Sequence, residues 1–197
     1  MNVAFGLRAH SGWAALVVLA EIAGDVVVAD RRRIDLVDED WAKQPYHAAE
    51  HLDPQEARKL VRRGIRSAQR IALRAMRTKV ERERELGNDV TACAVLVGDP
   101  MPEWSIDEIL AVHFRMHKAE GVLFRDALAE AAVECGIRLV TVPEKKLQEF
   151  ATSSLGVAAS ALKKKIAALG KSAGPPWGKD QKEAALAALV ALRGNSR

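Results

Sequence analysis

The sequence predicts an α/β chain built on a mixed five-stranded sheet, with helices on both faces and a further helix at the C-terminus. Three observations carry that prediction. Three short apolar runs separated by turn residues open the chain. Two continuous apolar runs follow later, each bounded by long stretches of helical spacing. The 197 residues are 49% hydrophobic and 28% charged, the balance of an ordinary globular chain. The expected organisation is a single domain over residues 1–197, with a linker-like segment at 170–178.

The opening runs lie at residues 3–7, 13–20 and 26–37. Turn signals separate them at Ser11-Gly12 and at Gly24-Asp25. Gaps this short favour an antiparallel meander, because parallel neighbours need a crossover of roughly a dozen residues. Asp53-Pro54 then starts a helix, with Asp53 as N-cap and Pro54 at the first helical position. Apolar residues at three- and four-residue spacing (Leu60, Val61, Ile65, Ala68, Ala72, Met76, Val80) carry it to about Leu86. Its other face is basic, from Arg58 and Lys59 to Arg77 and Lys79, and reads first as a solvated face. Residues 90–97 read as a buried central strand, ended by Gly98-Asp99-Pro100. A second long helix is expected over 106–134, then a strand over 137–142. One or two helices are expected over 144–169, and a last helix over 179–192. Long helices between the later strands imply crossovers, hence the mixed sheet.

A net charge of +4 is mild and leaves a nucleic-acid partner open without requiring one. Cys93 and Cys135 are too few for a disulfide framework and read as buried thiols. The start shows no signal-peptide pattern, and the longest apolar stretch, 13–29, is interrupted by Glu21 and Asp25. The expectation is a cytoplasmic protein without membrane association. There is no P-loop, no GxGxxG after a strand and no GxSxG elbow, so no nucleotide or organic cofactor is expected.

Local residues point to a family. The opening Phe5-Gly6-Leu7-Arg8-Ala9-His10-Ser11-Gly12-Trp13 resembles the first hairpin of RuvC-type Holliday-junction resolvases, a branch of the ribonuclease H-like superfamily. There the pattern is Gly-Ile-Asp-Pro-Gly followed by a tight return. Lys118-Ala119-Glu120-Gly121-Val122, continuing through Gly136 to the next strand, resembles that family's central helix. Asp180-Gln181-Lys182-Glu183-Ala184-Ala185-Leu186-Ala187 resembles its closing Asp-x-x-Asp-Ala-Leu-Ala helix. The chain as a whole also resembles a bacterial family of this fold to which no activity attaches.

The resemblance implies a ribonuclease H-like fold and a site for two divalent metals, which activate water and stabilise a leaving oxygen. Mg²⁺ or Mn²⁺ needs converging carboxylates, in that family from the first strand, the end of the fourth strand and the last helix. Asp180 and Glu183 match the last-helix pair. The first-strand acid is replaced by Arg8. The fourth strand carries no acid; Asp99 is the nearest. Arg stays protonated and repels a dication, so Arg8 is expected to pair with Asp180 or Glu183, without a metal.

Glu120, between small neighbours, is expected to be partly buried, with Arg8, His10 or His117 as partner. Four of the five histidines form i,i+4 pairs, His47 with His51 and His113 with His117, each with a nearby acid, Glu50 and Glu120. Such spacing can seat a metal, but the HExxH order is absent. Trp177, after Pro175-Pro176, and Tyr46, beside Pro45, each read as a hydrophobic staple or as a stacking surface.

The leading expectation is a nucleic-acid-associated protein, binding DNA or RNA, with a degenerate, metal-free nuclease site. Arg8, His10, Glu120, Asp180 and Glu183 would form its polar cluster. The basic helix and Lys163-Lys164-Lys165 would contact phosphates. One alternative is an active Mg²⁺- or Mn²⁺-dependent nuclease using Asp180, Glu183, Glu120 and Asp99, with Asp180 and Glu183 as metal ligands. The other is a protein-interaction or dimerisation module, for which a homodimer is the simplest form.

Overall fold

The computed structural model describes residues 1–194; the last three residues of the expected 1–197 span lie outside it. Strands β1 (Asn2–His10), β2 (Trp13–Ile22) and β3 (Asp25–Asp35) form the meander, and β4 (Asp89–Val97) and β5 (Arg138–Pro143) complete one sheet in the order β3-β2-β1-β4-β5. Pairing is antiparallel for β1–β2 and β2–β3, parallel for β1–β4 and β4–β5. The helices are α1 (Pro45–Ala49), α2 (Pro54–Glu85), α3 (Ile106–Leu110), α4 (His113–Glu134), α5 (Leu147–Leu155), α6 (Ala159–Ala173) and α7 (Lys179–Arg193). No helix among the described residues is long and apolar enough to cross a membrane.

Strand alternation sorts the core into two layers. Val3, Phe5, Leu7, Leu16, Val18, Cys93 and Val95 face α2 and α4. Ala4, Val17, Leu19, Ala92, Ala94 and Leu96 face α5, α6 and α7. A smaller cluster joins Tyr46 and Ala49 of α1 to Val61, Ile109, Met116 and Ala119. Tyr46 is thus a core residue and not a stacking surface.

Helix α7 lies unusually close to the sheet. It presents Ala184, Ala185, Ala187, Ala188 and Ala191, all buried, and β1 answers with Gly6. A Cβ on Gly6 would strike the Ala184 carbonyl and lie 2.7 Å from the Ala188 nitrogen. Backbone cannot move aside as a side-chain tip can. Gly6→Ala is therefore expected to destabilise by about 3 kcal/mol, the upper end of ordinary overpacking. A urea midpoint equal to wild type would contradict the close packing of α7 on β1.

Several boundaries differ from the sequence expectation. The second hairpin turns at Ala23-Gly24, one residue early; both take positive φ, 50° and 86°, as a two-residue type I′ turn needs. The helix expected over 106–134 is two helices. Val112 is extended (φ −140°, ψ 111°) and breaks it, a conformation that suits a β-branched residue. A Ser105–Glu108 capping box starts the short α3. Residues 170–173 complete α6, so the linker is only 174–178. Cys93 is fully buried, and burial pushes its thiol up to about 12, but Cys135 is only half-buried.

Candidate functional site

The site grows from two local facts. The two-residue period that sends Gly6 toward α7 sends Arg8 the same way, one step further along β1. There the helix has just begun. Gly178 precedes α7, and its N–H donates to the Gln181 side chain at 2.9 Å. Asp180 and Glu183, three apart in the first two turns, face the strand. Asp180 also sits where the helix dipole favours negative charge.

Arg8 is only 9% exposed and touches three carboxylates. Nη1 donates to Asp180 Oδ1, and Nη2 donates to Glu144 Oε1 at 3.0 Å. Nε lies 2.9 Å from Glu183 Oε2, but its N–H is not aligned, so that contact is Coulombic. Arg125, from α4, donates to the other Glu144 oxygen. Lys179 Nζ lies 3.8 Å from Glu183. His10 Nε2 lies 3.2 Å from Asp180 Oδ1 without hydrogen-bond geometry. The His10 ring stacks on Trp13 at 4.3 Å, and Arg33 covers that indole at 4.2 Å.

The linker before α7 is pinned from the meander. Arg31 of β3 donates to the carbonyls of Gly174, Pro175 (2.8 Å) and Pro176 (2.7 Å). Trp177 lies against Gly170 of α6 and joins the apolar layer beneath α7. It is half-buried there, its indole packed against α6.

Not every expected residue joins this cluster. Glu120 is buried as expected, but its carboxylate is taken by His47, accepting from the backbone N–H at 3.1 Å and meeting Nδ1 at 2.7 Å. It thereby satisfies a free N–H in the first turn of α1. Gly121 beside it faces open space, so close backbone packing is not the reason Glu120 is buried. Asp99 pairs with Lys145 at 2.5 Å. His51 is exposed and outside α1; His47 instead meets His113 and His117.

Five cations on the basic face of α2 are engaged in surface ion pairs. Arg58 pairs with Asp107, Lys59 with Glu56, Arg63 with Glu39, and Arg70 and Arg74 with Asp38. Lys79 is not on that face at all: it is buried against Asp30 and Glu83.

Glu144 and Arg125 join the site without any motif to mark them in the sequence. Glu144 opens a 3₁₀ turn directly after β5. An acid at the C-terminal end of a parallel strand is where open α/β sheets place ligand groups, and that was the available signal.

Neighbouring charges favour the ionised forms of Arg8 and Glu144. Burial works against the Arg8 charge, but the Glu144 hydrogen bond and the fields of Glu183, Asp180 and Glu144 outweigh it and hold the guanidinium above its usual range. Burial also opposes ionised Glu144; the Arg8 hydrogen bond, Arg125 and Lys179 overcome it and hold the carboxyl below its usual range. A carboxyl lowered on folding adds stability above its unfolded pKa, and loses it as pH falls through the lower folded value. Urea midpoints are therefore expected to fall between about pH 5 and about pH 3, and Glu144→Gln to flatten that fall. An unchanged slope in the variant would mean that Glu144 is not held ionised by Arg8 and Arg125.

No protein-family model matches the sequence, and no curated protein matches it. Solved structures do. The Thermus thermophilus RuvC structure aligns over 95% of this chain and 92% of its own, at 15% identity and a TM-score of 0.49. T. thermophilus RuvC in complex with Holliday junction substrate aligns over 96% and 92%, at 14% identity and a TM-score of 0.51. With the β3-β2-β1-β4-β5 sheet order and the closing helix against β1, this likeness establishes that the chain has the ribonuclease H-like fold in the arrangement found in RuvC.

Proposed function

We propose that the chain is a nucleic-acid-associated protein whose nuclease site has become a guanidinium–carboxylate cluster that holds no metal. One observation carries this reading: the Arg8 guanidinium lies among Glu144, Asp180 and Glu183. A two-metal site needs those oxygens for the ions. Here two of the carboxylates are hydrogen-bonded to a permanent cation and the third is in contact with it. Any dication among them meets that charge at close range. The donor set does not fit the pair of Mg²⁺ ions that the fold family implies. The alternative nuclease built on Asp180, Glu183, Glu120 and Asp99 loses two of its four acids to His47 and Lys145.

Support for a nucleic-acid partner comes from the fold and from unpaired cations. In the complex of similar fold, RuvC is bound to Holliday junction substrate. A groove of about 470 Å³ opens beside Glu144 and Glu183, between α5, α6 and α7. Lys163 and Lys182 line it, and Lys164 is exposed on the same helix as Lys163. Among the described residues none of these three is ion-paired. These lysines offer phosphate contacts beside the Arg8 cluster.

Electrophoretic binding to single-stranded, duplex and branched DNA, with and without Mn²⁺, tests the reading. Binding is expected to weaken as salt rises, since phosphate contacts release counterions. The double variant Lys163→Glu, Lys164→Glu should weaken it on every substrate, and no DNA should be cut. Mn²⁺-dependent cleavage abolished by Asp180→Ala would overturn the metal-free site. Absence of binding even at low ionic strength would overturn the nucleic-acid role and favour the protein-interaction module.

A further inference from the structure

A second polar cluster lies on the opposite face of the sheet, on the α2–α4 side, and the Arg8 site makes no use of it. His47 of α1 meets His113 and His117 from the first turns of α4. We propose that these three histidines bind one divalent transition metal ion of the zinc class.

The geometry is that of ligands already gathered. One ring nitrogen from each histidine lies within 4.8 Å of the others. His113 Nε2 and His117 Nε2 are 3.1 Å apart. A tetrahedral ion with bonds of about 2.0–2.1 Å places its nitrogens about 3.3 Å apart, so this pair is already at the required bite. The i,i+4 spacing on α4 supplies it. The third ligand comes from α1, far away in sequence.

The outer contacts favour the same reading. Glu120 Oε2 meets His47 Nδ1 at 2.7 Å, and Glu50 Oε1 lies 3.4 Å from His113 Nδ1. At His47 the hydrogen-bonded carboxylate holds the proton on Nδ1 and leaves the Nε2 lone pair for a metal. Glu120 is 4% exposed at its side chain, an expensive place for a carboxylate unless it orients something. The residues next to the histidines in sequence, Tyr46 and Met116, belong to a buried apolar cluster. His113 and His117 are exposed, so a fourth position is open to water. Three imidazoles without a direct oxygen donor suit Zn²⁺ and disfavour Mg²⁺ or Ca²⁺. The bound ion would fasten the short α1 to the start of α4.

Calorimetric titration of the chelator-stripped chain with Zn²⁺ tests this. One saturable equivalent is expected, with a rise in melting temperature. His117→Ala should abolish saturable binding; its side chain is exposed, and circular dichroism checks that the fold persists. Glu120→Gln should weaken binding by about ten- to hundredfold, the usual effect of losing a group that orients a ligand. His51→Ala, at an exposed histidine outside the cluster, should bind as wild type does. Absence of saturable Zn²⁺ binding to the wild type, or binding unchanged in His117→Ala, would overturn the proposal in favour of three imidazoles held by N–H···N contacts alone.

Discussion

Replacing Arg8 with methionine is expected to lower stability by about 3–5 kcal/mol at neutral pH, the range for removing one partner of a buried ion pair. The methylenes are nearly conserved, so the loss is chiefly electrostatic. Glu144 keeps Arg125 and Glu183 keeps Lys179 at 3.8 Å, but among the described residues Asp180 keeps only His10. Asp180, Glu183 and Glu144 then lie close together without the cation that all three contact. In the wild type the Arg8 hydrogen bond helps hold the Glu144 carboxyl below its usual range, a stabilisation that is present at neutral pH and lost as pH falls through that lowered folded value. The difference from wild type should narrow in acid. Arg8→Lys should recover only part of the loss, since a point charge cannot serve three carboxylates as a planar fork does. Urea denaturation across pH measures both. A pH-independent loss would point to packing in place of charge.

Lys79→Met should be of similar size. Its ammonium lies 2.7 Å from Asp30 Oδ2 and 2.6 Å from Glu83 Oε1, with 6% of the side chain exposed. Glu83 is more deeply buried still, and its other oxygen accepts from Asn88 at 2.8 Å. Burial pushes the Asp30 carboxyl up, but the Lys79 hydrogen bond, its charge and Arg32 outweigh that and hold it below the usual range. Without Lys79, Glu83 is a buried carboxylate whose only side-chain hydrogen-bond partner among the described residues is the Asn88 amide. A loss of about 3–5 kcal/mol is expected. Adding Glu83→Gln should restore much of it, because the pair has then been removed as a unit. A double-mutant cycle with no coupling would contradict a direct Lys79–Glu83 interaction.

The meander, the long α2 and the two later strands were legible because each is a local pattern. Apolar runs were bounded by turns, Asp53-Pro54 opened a helix, and alternation set the faces. The break at Val112 was not legible, since helical apolar spacing continues across it. Lys79 read as one more cation on a basic face; only the packing of α2 beneath β3 shows that it points inward. At the site, Arg8, Asp180 and Glu183 were visible because they fall in recognisable segments. Glu144 was not, because a lone acid after a strand becomes part of a site only through the strand beside it. Glu120 is buried as the sequence implies, but its carboxylate belongs to the histidine cluster and not to the Arg8 cluster. The histidine spacing suggested two pairs, whereas the fold joins His47 to the other pair. That contact depends on where α1 docks, which no local window contains.

The most direct test asks whether a dication competes with the Arg8 guanidinium. Mn²⁺ binding is best followed in the His117→Ala background, which removes the histidine cluster from the signal. The account predicts no saturable Mn²⁺ binding that Asp180→Asn alters, and the appearance of such binding when Arg8→Asp is added. Saturable binding with Arg8 in place, lost in Asp180→Asn, would contradict it.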